Sequence, residues 1–160
     1  MGADIHMYVE KLNNDNEWEY IYIKDKDNNI VAWYPRDYTL FGLLAEVRRE
    51  GYDDLTKVQG LPYNMSDEVN QAYEEYKDDY HSATWYMLSE LDSMRQYLIM
   101  KRENIILSNL HAQEEKVQLK EEYESIIGSL TSFCNAVEFI CSTNSAYSPD
   151  KARVIVWFDN

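Results

Sequence analysis

The two ends of the chain alternate with a period of two. Residues 3–12 read as a strand with Asp4, His6 and Tyr8 on one face and Ile5, Met7 and Val9 on the other. Residues 153–159 read as a second strand, with Val154, Val156 and Phe158 facing one way and Arg153, Ile155, Trp157 and Asp159 the other. Each strand has an apolar face and a polar-aromatic face. Pairing them side by side puts Asp4, His6, Tyr8, Arg153, Trp157 and Asp159 on one surface, and a sheet that joins both termini must hold everything between them.

The intervening chain supplies strands first and helices later. Glu17 to Lys24 alternates Trp18, Tyr20 and Tyr22 against Ile21 and Ile23, and Ile30 to Tyr34 reads as a further strand. Polar turns separate these runs, which favours an antiparallel meander. Pro35 ends the third run, and Asp37 or Thr39 can cap a helix that stops near Gly51. After a loop broken by Gly60-Leu61-Pro62, Ser66 caps a helix bearing Val69, Ala72, Tyr73 and Tyr76. A longer helix is expected from Ser82 or Thr84, with Trp85, Leu88, Leu91, Arg95 and Leu98 on its inner side. After a break near Ser108 to Ala112, another runs from about Gln113 to Cys141, with Val117, Tyr123, Ile127, Leu130, Cys134, Val137 and Cys141 on a buried face. The expected architecture is α+β: a small antiparallel sheet with helices packed on one face and a long helical hairpin inserted before the C-terminal strand. Residues 1–160 form one domain, with 86–146 as a helical elaboration. The long helices are also candidate contacts for a homo-oligomer.

Charge narrows the partners. Twenty-nine acidic against 15 basic side chains give a formal net charge of −14. Such a surface disfavours direct contact with nucleic acid or anionic lipid, and it can imitate nucleic acid toward a basic protein. Neither an apolar run of about 18 residues nor a charged-then-apolar leader is found, so a cytoplasmic protein without a membrane span is expected. Cys134 and Cys141, seven apart on one helix, lie roughly 10 Å apart and cannot form a disulfide with each other.

Three features carry chemistry. Asp4 and His6, two apart on a strand, project to the same side roughly 6–7 Å apart. Arg36 stands at a strand-to-helix junction suited to an anion, with Tyr34 and Tyr38 beside it for stacking. His81, Ser82 and Trp85 offer an imidazole, a hydroxyl and an indole. With only His6, His81 and His111 in the chain, a His-rich metal centre is not expected, nor is any cofactor. No Gly-x-Ser-x-Gly elbow surrounds Ser82, and neither a P-loop nor a Gly-x-Gly-x-x-Gly motif occurs. The candidate ligand-binding set is Asp4, His6, Tyr8, Arg36, Tyr38, His81, Ser82, Trp85, Arg153, Trp157 and Asp159.

Several of these residues sit in blocks that resemble a group of small, uncharacterised bacteriophage proteins. The blocks are Met1-Gly2-x-Asp4-Ile5-His6, Arg36-Asp37-Tyr38-Thr39-Leu40-Phe41 with Leu44-Ala45-Glu46-Val47-Arg48, Gly60-Leu61-Pro62, His81-Ser82-x-x-Trp85 and Val156-Trp157-Phe158-Asp159-Asn160. They leave out residues 94–147, and Asp37 departs from the Asn or other polar residue expected there. The resemblance implies a phage setting and no established activity; in that setting the leading reading of the residues is a counter-defence protein that sequesters a nucleotide-derived signal in a polar-aromatic pocket. In that reading Arg36 and Arg153 meet phosphate, Trp85, Trp157 or Tyr38 stacks on a base, and Asp4, His6 and Ser82 bond ribose or base edges. The alternatives are an acidic inhibitor of a host nucleic-acid-binding or defence protein, acting through residues 66–79, and a metal-assisted hydrolase using Asp4, His6 and Asp159.

Overall fold

The computed structural model describes residues 4–24, 26–27, 34–47, 56–142 and 148–159. Among these residues four antiparallel strands form one sheet in the order β2-β1-β4-β3: β1 (Asp4–Leu12), β2 (Trp18–Tyr20), β3 (His81–Met87) and β4 (Ala152–Asp159). The termini pair as their patterns require, with Asp4 opposite Asp159, His6 opposite Trp157 and Glu10 opposite Arg153. Flanked on both sides, β4 is buried from Ala152 to Phe158. The turn after β1 closes on Asn13, whose side chain accepts the N–H groups of Asp15 and Glu17. Of the expected third strand, Ile30 to Trp33 lie outside the described residues, as does Gly51.

Among the described residues four α-helices join the sheet: α1 (Tyr38–Ala45), α2 (Asp67–Glu75), α3 (Leu88–Leu107) and α4 (Gln113–Ser142). Asp37 caps α1 by accepting the Leu40 N–H at 3.0 Å. The helix ends at Ala45, earlier than Gly51, because Glu46 turns into the left-handed region at φ 59°. α1 is too apolar to have a solvent face; Leu40, Phe41, Leu43 and Leu44 are all buried. It lies with α3 and α4 against Val9, Val154, Val156 and Phe158 in the main core. On the opposite face α2 seats Val69 and Tyr73 beside Ile155 and Trp157. Tyr76, expected on its stripe, is exposed beyond the helix end.

The segment around Trp85 is a correction. Residues 81–87 are a strand, and the long helix begins only at Leu88. Trp85, Leu88 and Leu91 are spaced by three, which imitates helical periodicity. The side chains of Thr84, Trp85 and Tyr86 favour a pleated surface, and pairing with β4 decides the matter. The α3 start is then fixed by Glu90, which accepts the Met87 N–H at 2.8 Å. Leu88, Leu91 and Leu98 are its buried side.

On α4 the buried side runs through Ile126, Leu130, Phe133, Cys134, Val137, Ile140 and Cys141, while Val117 is exposed. The apolar stripe therefore begins a turn or more later than the sequence suggests. The proximal halves of α3 and α4 belong to the main core, and the distal halves extend from it. α4 is long and apolar enough by length and composition to cross a membrane. Ile126, Leu130, Phe133, Cys134, Val137, Ile140 and Cys141 of this helix pack into the main core. Both cysteines are free and buried, and burial pushes each thiol up to about 11.

Candidate functional site

The polar-aromatic face of the sheet has two ends with different characters. At one end, Glu10 and Arg153 face each other across β1 and β4, with exposures of 0% and 2%. The Glu10 carboxylate accepts Arg153 Nε at 2.7 Å through Oε2 and the Ser66 N–H at 2.7 Å through Oε1. Arg153 Nη1 donates to the Asn64 side chain and Nη2 to the Asn64 carbonyl, each at 2.9 Å. The guanidinium lies 4.0 Å from the Trp18 ring centroid and 5.7 Å from that of Trp85. Burial pulls the Arg153 pKa down from its ordinary value, and Glu10 pulls it back up. One buried ion pair thus fastens the loop before α2 and the α2 cap to the sheet.

That fastening shapes a groove. A cavity of about 640 Å³ opens between β2 and the start of α2. Trp18 and Tyr20 line its strand side, with Glu17 and Glu19 beside them. Asn64, Met65, Ser66, Asp67 and Glu68 line the other. Four carboxylates and two large rings therefore border one open space. None of these residues is in the ligand-binding set expected from sequence, although Ser66, Asp67 and Glu68 open the acidic segment 66–79 of the protein-interaction alternative. Glu10, which positions them, continues the alternation of Asp4, His6 and Tyr8 and was legible by extending it. Asn64 lies in a loop with no periodicity and gave no signal.

At the centre, Trp157 is fully buried. Its ring stacks on Tyr8 with centroids 4.6 Å apart, and Tyr73 meets it edge-on at 5.1 Å. Tyr80 and His6 close the cluster at 5.6 and 6.1 Å. Packed this way, Trp157 has no open face to offer a base. Its Nε1 is buried without a hydrogen-bond partner among the described residues. Burial, then Tyr20, Tyr80 and Glu75, push the Tyr8 phenol up to about 12.

At the far end, His6 Nε2 lies 2.9 Å from Asp159 Oδ2, and Arg36 pairs with Asp4. Both pairs are partly or largely exposed. Four of the expected residues meet here, but each charge already has a partner. Among the described residues no group of three His, Cys, Asp or Glu side chains is placed to hold a metal.

The remaining expectations separate. A bulge between His81 and Thr84, with Ser82 at φ 54°, puts one extra residue in β3. The alternation therefore flips, and His81 lies over Phe158 on the helix side, 6.0 Å between ring centroids. Its Nδ1 is 2.9 Å from Ser82 Oγ, so these two side chains bond each other. Tyr38 also belongs to the helix side, edge-on to Phe41 at 5.7 Å. Trp85 packs with the second core beneath Arg153. The eleven expected residues do not converge on one pocket, and Arg153 and Trp157 are buried within the fold. Compared with known protein families, curated proteins and solved structures, the chain matches none.

Proposed function

We propose that this protein is a non-catalytic binding module whose acidic groove between β2 and α2 takes a basic segment of a protein partner. The observation that carries this reading is the groove itself: about 640 Å³ bordered by Glu17, Glu19, Asp67 and Glu68, with Trp18 and Tyr20 as apolar walls. A lysine or arginine side chain gains from both, through charge and through contact with the rings. Trp18 already carries a guanidinium from within the fold, the same pairing in an internal setting. The groove is preorganised, because Glu10, Arg153 and Asn64 hold its two walls before any partner arrives, and that lowers the ordering cost of binding. The acidic run continues through Glu74, Glu75, Asp78 and Asp79, which extends the attraction beyond the groove. The resemblance to bacteriophage proteins supplies a setting: a basic nucleic-acid-binding or defence protein of the host.

Affinity capture from a bacterial lysate tests the reading. A basic protein should be retained at low salt and released as salt rises, and Asp67→Lys with Glu68→Lys should abolish capture while the fold, checked by circular dichroism, persists. Retention unchanged by these substitutions removes the groove from the interaction.

A further inference from the structure

Only one edge of β2 is spent on the sheet. Against β1, Lys11 stands opposite Glu19, the Asn13 N–H donates to the Glu17 carbonyl at 2.9 Å, and the Ile21 N–H donates to the Val9 carbonyl at 2.9 Å. An antiparallel ladder bonds alternate residues of each strand. Glu17, Glu19 and Ile21 therefore turn their backbone groups toward β1, and Trp18 and Tyr20 turn theirs away from it. Among the described residues β2 is the outermost strand on that side, and the N–H and C=O groups of Trp18 and Tyr20 make no hydrogen bond. The acidic groove follows this edge. Trp18 and Tyr20 project to one face of the strand and Glu17 and Glu19 to the other, yet all four border the same cavity. A space that touches both faces of a strand lies along its edge, and β1 fills the opposite one.

We infer that the partner's basic segment enters the groove as an extended strand, paired antiparallel with β2 and carrying its basic side chains at every second position. This rests on the reading of the groove as a site for a basic partner, and it adds how that partner is held. The outward groups of Trp18 and Tyr20 can bond two partner residues spaced two apart. Residues directly opposite in a ladder project to the same face. Both of those partner side chains then lie beside the Trp18 and Tyr20 rings, roughly 6–7 Å apart, on the side where Asp67 and Glu68 open α2. The residue between them projects to the other face. The recognised pattern is basic-x-basic, and two adjacent basic residues cannot both reach the carboxylates of α2. Charge selects this occupant over a second copy of the chain, because two β2 edges brought together would set Glu17 and Glu19 of one against those of the other. The edge is also fixed in advance: Asn13 holds the turn into β2 by accepting the Asp15 and Glu17 N–H groups.

Calorimetric titration of the full chain with synthetic peptides provides the test. One peptide alternates arginine with threonine over about seven residues, and an isomer of the same composition groups its arginines together. The alternating peptide should bind about tenfold more tightly than the isomer. N-methylation of its arginine amides, which face β2 in the bonded pairs, should weaken binding by about tenfold or more. The same modification of its threonine amides, which point away from β2, should change binding by less than about twofold. Equal weakening by the two sets of methyl groups, or equal affinity for the isomer, overturns the strand pairing and leaves the groove as a site for basic groups. Binding of the alternating peptide that survives Asp67→Lys with Glu68→Lys places it elsewhere and overturns the pairing as well. If neither peptide binds, the groove and the pairing fall together.

Discussion

Glu10–Arg153 and His6–Asp159 are both acid–base pairs between β1 and β4 on the same sheet face, yet they do different work. Glu10 and Arg153 are directly opposite, sealed from water, and bonded onward to Ser66 and Asn64. His6 reaches diagonally to Asp159 at the open end of the sheet, where about a third of each side chain is exposed. Burial separates them. A charge removed from the first pair strands its partner in a low-dielectric interior, while water can replace a lost member of the second.

The largest effect should follow Arg153→Met. It leaves the Glu10 carboxylate buried and unpaired, and about 3–5 kcal/mol of stability should be lost in denaturant titration. Adding Glu10→Leu should recover much of that loss while still leaving Ser66 and Asn64 without their partners. If the double variant is as unstable as the single one, the cost lies in the loop contacts rather than in the stranded charge.

Trp157→Ala should cost a comparable amount, about 3–5 kcal/mol, by opening a cavity among Tyr8, Tyr73 and Tyr80. Trp157→Phe should cost much less, because it also removes an indole N–H that has no partner among the described residues. Equal losses for the two substitutions would contradict the placement of that donor.

Next comes alkaline pH. The folded state holds Tyr8 protonated to about 12, whereas the unfolded chain loses that proton near 10. Its stabilising contribution is complete below pH 10 and disappears as pH rises through about 12. Unfolding midpoints should fall across this window, and Tyr8→Phe should flatten the decline. A slope unchanged by Tyr8→Phe would place the alkaline sensitivity elsewhere.

The smallest effect belongs to the open end. His6→Ala should change stability by about 1 kcal/mol or less, and Asp4→Asn by about 0.5 kcal/mol or less. A loss near that of Arg153→Met would erase the difference between the two ends.

The same contrast marks what could be read from the sequence. Period-two alternation placed β1 against β4 and sorted their faces correctly, because the side-chain period of a strand leaves two choices and the apolar set decides between them. The helical pair and its break near Ser108 were legible from apolar spacings of three and four, although the start of the first helix was not. Burial depth was not. Arg153 and Arg36 are the same residue type at element boundaries, and Glu10, Trp18, Trp85 and the loop carrying Asn64 together make one interior. Nor was the bulge at Ser82, where one inserted residue moves His81 through the sheet. The groove escaped notice because its walls come from β2 and the α2 cap, more than 40 residues apart, joined by a pair of charges that read individually as surface residues.

Two substitutions of equal charge at the two ends test the groove most directly. Calorimetric titration with an arginine-rich peptide would compare Glu17→Lys with Glu68→Lys against Asp4→Lys with Asp159→Lys. Binding should vanish in the first double variant and stay within about twofold of wild type in the second. Equal losses in both would mean that net charge alone attracts the peptide and that the groove between β2 and α2 is not its site.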